Sequence, residues 1–122
     1  MDTLSHKQFM GNDKNKSGDL VQGTLDMLVL KALERGPMHG YGVAEWIHES
    51  SADVLRVEEG SLYPALHRLE EAGWVKAGWK TTTHNRRARV YEITAKGRRQ
   101  LEAEESRWRA VSAAIGHVLK HA

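Results

Sequence analysis

Eight cations crowd into one stretch of this 122-residue chain. Lys76, Lys80, Arg86, Arg87, Arg89, Lys96, Arg98 and Arg99 stand there against a single acid, Glu92, while the whole chain carries a formal net charge of only +2. A basic block on a nearly neutral chain is the electrostatic footprint of a nucleic-acid binder, because guanidinium and ammonium groups displace counterions from phosphates. Other chemistry is thin. Of the seven histidines, His117 and His121 alone have a metal-ligand spacing, and they sit at the chain end. That pair could chelate adventitiously, and no physiological metal site is expected. There is no cysteine, which excludes disulfides and thiolate-bound zinc. Ser61 does not stand in a nucleophile elbow, and no glycine-rich phosphate cradle is present. The acid pairs Glu58–Glu59 and Glu70–Glu71 read as solvated linker and helix surface. The chain is therefore read as neither an enzyme nor a cofactor carrier.

The elements that must position the basic block follow from periodicity. Hydrophobic residues make up 40% and charged residues 28%, an ordinary globular mix. No apolar run approaches the ~18 residues of a membrane span, and no secretory leader is seen, so a cytoplasmic protein with no membrane partner is expected. Residues 1–19 are polar and read as a disordered lead-in. Residues 20–94 read as one domain and 95–122 as a terminal helix. The first helix is expected to be capped by Thr24, with Leu25, Leu28, Val29 and Leu33 at helical spacing and Gly36–Pro37 as its stop. The second runs from Gly40 to about Ser50, with Val43, Trp46 and Ile47 as its stripe. Ser51 to Gly60 reads as a linker holding a short strand, where Leu55 and Val57 alternate with Arg56 and Glu58. Ser61 is taken as the cap of the third helix. That puts Pro64 at the third helical position and turns Leu62, Leu66 and Leu69 inward.

Two extended runs, Trp74 to Thr82 and Ala88 to Thr94, flank a polar tip and read as a β-hairpin. Thr94 then caps a helix of roughly 25 residues, nearly 40 Å long. Leu101, Trp108, Val111, Ile115 and Val118 fall on its heptad a/d positions, with Glu104 a misfit. A stripe of that length predicts a seam with a partner helix, hence a homodimer.

Three helices followed by a hairpin make a winged helix-turn-helix, mainly α with a small β-hairpin, extended by a dimerisation helix. The third helix is then the reader in the major groove. Ser61, Tyr63, Pro64, His67 and Arg68 fall on or beside its outward face. Asn85, Arg86, Arg87 and Arg89 arm the wing for phosphates or a narrow minor groove. A winged-helix protein-interaction module without DNA binding is the alternative, and the clustered arginines argue against it.

The residues also carry a resemblance. Gly23-Thr24-Leu25-Asp26-Met27-Leu28-Val29-Leu30, Gly36-Pro37-Met38-His39-Gly40-Tyr41-Gly42-Val43 and Gly60-Ser61-Leu62-Tyr63-Pro64-Ala65-Leu66-His67-Arg68-Leu69-Glu70 stand in order. Arg87-Ala88-Arg89-Val90-Tyr91-Glu92-Ile93-Thr94 with Gly97-Arg98 completes the set. Together they resemble the PadR family of bacterial transcriptional regulators, in its compact subgroup with a single C-terminal helix. The resemblance implies a dimeric repressor that binds double-stranded DNA at inverted repeats resembling ATGT…ACAT. It puts the family's reader tyrosine and proline on Tyr63 and Pro64, and a tyrosine able to reach a phosphate on Tyr41. Gly40 is expected to serve backbone geometry. Some members bind planar aromatic or phenolic effectors between rings at the dimer interface, which makes Trp108 a candidate ligand-binding ring as well as an interface anchor.

Overall fold

The structure, a computed structural model, describes residues 21–81 and 83–121. The lead-in read over residues 1–19 lies outside them. Helix α1 (Gln22–Glu34) buries Leu25, Met27, Val29, Leu30, Ala32 and Leu33, so it is enclosed on most sides. It begins earlier than Thr24: Val21 is the N-cap, and the Leu25 amide already donates to the Val21 carbonyl at 3.0 Å. Packing of Leu25 and Met27 sustains that extra turn without a side-chain cap. Gly36, at φ +145°, lets the chain leave the helix.

Strand β1 (Met38–His39) comes next, and then α2 (Gly40–Ser50), which buries Val43 and Ile47. The α2 cap is His39, whose Nδ1 accepts from the Gly42 amide at 3.0 Å. The short strand thus precedes α2, where the sequence placed one after it. Residues 54–58 form no strand. The sheet, in the order β1-β3-β2, forms without this segment, and Leu55 and Val57 pack against the core as irregular chain instead.

Helix α3 (Glu59–Glu71) is capped at Glu58 and buries Leu62, Ala65, Leu66 and Leu69. It starts before the expected Ser61 cap, with Glu59 in its first turn, where a carboxylate favours the positive end of the helix. Pro64 consequently lies inside the helix and leaves the Gly60 carbonyl without its i+4 amide. Gly60 is exposed, so water can serve that carbonyl.

The hairpin strands are β2 (Val75–Thr81) and β3 (Arg87–Ile93), in register from Val75↔Ile93 to Thr81↔Arg87. Each differs from its expected bounds by a residue, and Arg87 belongs to the ladder instead of the tip. Helix α4 (Ala95–Lys120) is capped by Thr94, whose Oγ1 accepts from the Gly97 amide at 3.0 Å. One core joins α1, α2, α3 and the base of the sheet, and Leu101 of α4 belongs to it at 1% exposure. Leu101 was expected at the dimer seam. It sits instead where α4 still packs on α1, held there by Lys31 bonded to Glu105 at 3.0 Å.

The root of α4 is fastened to the end of α3. Thr94 Oγ1 donates to the Gly73 carbonyl at 2.7 Å, and Lys96 Nζ donates to the Ala72 carbonyl at 3.0 Å. The Thr94 amide reaches the Trp74 carbonyl at 3.0 Å. Gly97 lies under that same carbonyl, where any Cβ would collide with backbone.

Candidate nucleic-acid interface

The leucine stripe of α3 fixes what the helix shows to solvent. With Leu62, Leu66 and Leu69 inward, Tyr63, Pro64 and His67 are exposed and Ser61 is half-buried. His67 pairs with Glu71 one turn on, at 3.3 Å. Arg68 is not on that open face. Its Nη2 donates to Asp26 Oδ1 at 2.7 Å and its Nε to Oδ2 at 3.4 Å, a two-pronged bond that ties α3 to α1. The position borders the buried stripe, and an acid on the neighbouring helix claims the guanidinium.

Tyr63 leans across the first turn of α2. A Cβ built on Gly40 would come within 2.7 Å of the Tyr63 hydroxyl and 2.9 Å of its ring carbons. Gly36 and Gly73 are the positive-φ glycines among the described residues, so Gly40 is there for close approach and not for backbone freedom. Burial pushes the Tyr63 phenol above its ordinary pKa of 10.0, with the negative charges of ionised Tyr91 and Glu59 adding to it. Tyr41, also at the start of α2, is 66% exposed and lies beside the His39 ring, centroids 6.3 Å apart. The sequence reading gave His39 no part in this turn. An imidazole is not among the usual capping side chains, and its place directly before Gly40 was the available signal.

The wing gathers around a residue that the sequence reading left out. On the sheet face that buries Val75, Tyr91 and Ile93, the outer positions are Trp79, Arg87 and Arg89. The Arg87 guanidinium lies 4.8 Å from the Trp79 ring centroid and that of Arg89 lies 5.4 Å away. Both are within cation–π range. Arg89 Nη2 also reaches Glu70 Oε2 at 3.3 Å, joining the wing to α3. Glu70, expected as plain solvated surface, is thus a partner of the wing. Asn85 turns the tip at φ +60°, a conformation asparagine tolerates. Arg86 is exposed beside it. On the opposite sheet face Lys76 approaches Glu92 at 3.9 Å.

Beyond Leu101, α4 carries an apolar stripe into solvent. Trp108, Val111, Ile115, Val118 and Leu119 are each about half exposed or more. Glu104, the misfit in the heptad, accepts from Gln100 Nε2 and from Arg107 Nη1, both at 2.7 Å. Beside Trp108 a depression of about 190 Å³ is lined by Met27, Leu28, Lys31, Glu105 and Arg109. His121 Nδ1 lies 2.9 Å from the His117 carbonyl, so that ring is turned to the backbone. No group of three or more candidate metal ligands occurs among the described residues. No helix among them is long and apolar enough to cross a membrane.

Comparison with known proteins matches this arrangement to a family. A model of the transcriptional regulator PadR-like family matches residues 29–103. Among solved structures, a transcriptional regulator from Clostridium thermocellum superposes with a TM-score of 0.72 at 26% identity, over 78% of this chain and 92% of that one. A PadR-like transcriptional regulator from Bacillus cereus gives 0.68 at 27% identity, over 80% and 92%. A PadR family regulator from Eggerthella lenta gives 0.71 at 26% identity, over 95% and 96%. An uncharacterized protein X from Lysinibacillus sphaericus is 24% identical over 80% of this chain and 89% of its own length. A 37.1 kDa transposon protein from Streptomyces fradiae is 41% identical over 64% of this chain, which spans 21% of that protein's length.

Proposed function

The chain belongs to the transcriptional regulator PadR-like family, and from that membership we propose that it is a sequence-specific DNA-binding repressor working in the cytoplasm as a homodimer. The family is one of regulators and not of enzymes. In this reading α3 enters the major groove and the wing grips the adjacent backbone or minor groove of an inverted-repeat operator. Two-fold symmetry brings two α3 helices about 34 Å apart, one helical turn of DNA. Ser61, Tyr63, Pro64 and His67 face base edges and nearby phosphates. Tyr41, Asn85, Arg86 and Arg87 hold the backbone. Arg68 and Arg89, each bonded to a carboxylate of its own chain, act chiefly by fixing the reader and the wing. The two subunits join through Trp108, Val111, Ile115 and Val118.

The observation that carries this reading is an open reader face on α3 with an arginine-bearing wing tied to the same helix through Glu70 and Arg89. The exposed α4 stripe supports the dimer, since a solitary chain would leave those side chains in water. The deciding experiment is fluorescence anisotropy with a duplex taken from upstream of the chain's own coding sequence and a shuffled duplex of equal length. Binding to the first about 10³-fold tighter than to the second is expected. Equal affinities would overturn the reading. In the same assay Arg87→Ala should weaken binding to both duplexes and lower the log–log salt slope by about 0.9, one phosphate contact. Sedimentation should give twice the chain mass, and a monomer at working concentration would remove the dimer.

An aromatic effector beside Trp108 belongs to the same proposal. The depression in one chain, about 190 Å³, falls short of the ~300 Å³ at which drug-sized sites begin. The ligand would therefore have to be closed in by the second subunit. Quenching of Trp108 fluorescence by planar aromatics, absent in Trp108→Phe, tests it.

A further inference from the structure

An exposed tryptophan on a basic wing needs a reason. Trp79 is 54% exposed, so the core does not hold it. It pairs across the ladder with Arg89 and sits diagonally from Arg87. Both guanidiniums lie on its ring, at 4.8 and 5.4 Å from the centroid. The two arginines differ in what else they touch. Arg89 has a second hold on Glu70 of α3, whereas for Arg87 the indole is the one partner among the described residues.

We propose that Trp79 is a positioning residue for the wing: its ring holds Arg87 extended for a phosphate and packs Arg89 as a strut against Glu70. This rests on the DNA-binding reading above and assigns within it a part to a residue outside the basic set. The ring supplies order before contact. A free arginine samples many rotamers, and freezing one on binding weakens affinity. A ring that already carries the guanidinium removes much of that loss. An indole has the most negative face of any side chain, so it suits the task better than phenylalanine and much better than leucine. Glu70 then sets the height of the platform relative to the reader helix, because the carboxylate is on α3 itself.

The test compares Trp79→Leu and Trp79→Phe with the wild-type chain by two readouts. The first needs no DNA: nitrogen-15 relaxation of the arginine Nε–H groups in the free protein. Trp79→Leu should raise the mobility of Arg87 strongly and of Arg89 less, and Trp79→Phe should restore most of the order. The second is duplex affinity across a salt series. Trp79→Leu should weaken binding about fivefold, the cost of ordering one side chain. Its salt slope should stay at the wild-type value, because the phosphate contact still forms. Trp79→Phe should recover most of the affinity. Unchanged arginine mobility in Trp79→Leu overturns the proposal, even if affinity falls, since the indole would then act on the duplex directly. Unchanged affinity overturns it as well. If the wild-type chain binds no duplex, the regulatory reading fails, and the relaxation data still decide whether the ring holds the arginines.

Discussion

At residue scale the decisive feature is a missing methyl group. Gly40 has ordinary backbone geometry, and its bare Cα is the seat of the Tyr63 ring. Adding a Cβ moves the far end of Tyr63 and leaves the backbone alone. Gly40→Ala should therefore leave the melting temperature close to the wild-type value, since Gly40 opens α2 and alanine gains less there than the roughly 0.5–1 kcal/mol of a helix middle. Discrimination between operator and shuffled duplex should fall about tenfold, within the range of one lost base contact. Anisotropy and a thermal melt on the same sample check both halves, and undiminished discrimination would separate Tyr63 from base reading. The sequence marked Gly40 as special but suggested backbone freedom, because close approach is a three-dimensional fact. The same limit hid the partner of Arg68, for Asp26 lies 42 positions away. Leu62, Leu66 and Leu69 were legible because helical periodicity is local.

Elements obey the same division. The heptad in α4 was visible, but a period cannot tell where a helix leaves its own domain. Leu101 is in phase with Trp108 and Ile115 and is nevertheless core, at 1% exposure against 51% and 53%. The two ends of the helix should thus respond differently to truncation. Leu101→Ala should cost the domain about 2–5 kcal/mol, read from the urea midpoint. Ile115→Ala should leave a dilute sample's midpoint nearly unchanged and raise the dimer dissociation constant. A matching loss of fold stability for both would contradict the assignment. The strand expected around Leu55 failed for a related reason. Alternation of apolar and polar residues marks a segment with one face inward, and Leu55 and Val57 do turn to the core, but no strand forms there to pair. The start of α3 was missed because Ser61 is a good cap, whereas the exposed first turn opens at Glu58 without a side-chain cap bond and with Glu59 at the positive end of the helix.

For the molecule as a whole, charge gives an alkaline limit. Lys31 is held above its ordinary 10.5 by its hydrogen bonds to Glu34 and then to Glu105. Tyr63 is raised above 10.0, first by burial. Each group binds its proton more tightly folded than unfolded. Each therefore contributes fully below its ordinary value, and the contribution is lost as pH rises through the folded value. Urea midpoints should decline above about pH 10, and the decline should be shallower in a Lys31→Met, Tyr63→Phe double variant. An equally steep fall in that variant would assign the alkaline limit to other groups.

The joint between α3 and α4 has a mechanical consequence. Thr94 and Lys96 grip the carbonyls of Gly73 and Ala72 just past the end of the reader, and Gly97 lets the tail helix sit flush beneath Trp74. Reader and tail are therefore tied together at a fixed joint. In the proposed dimer, the angle at which two tails cross dictates the gap between two readers. Grooves recur along a duplex at a fixed pitch, so in that dimer the crossing of the tails would set whether both readers can seat at once.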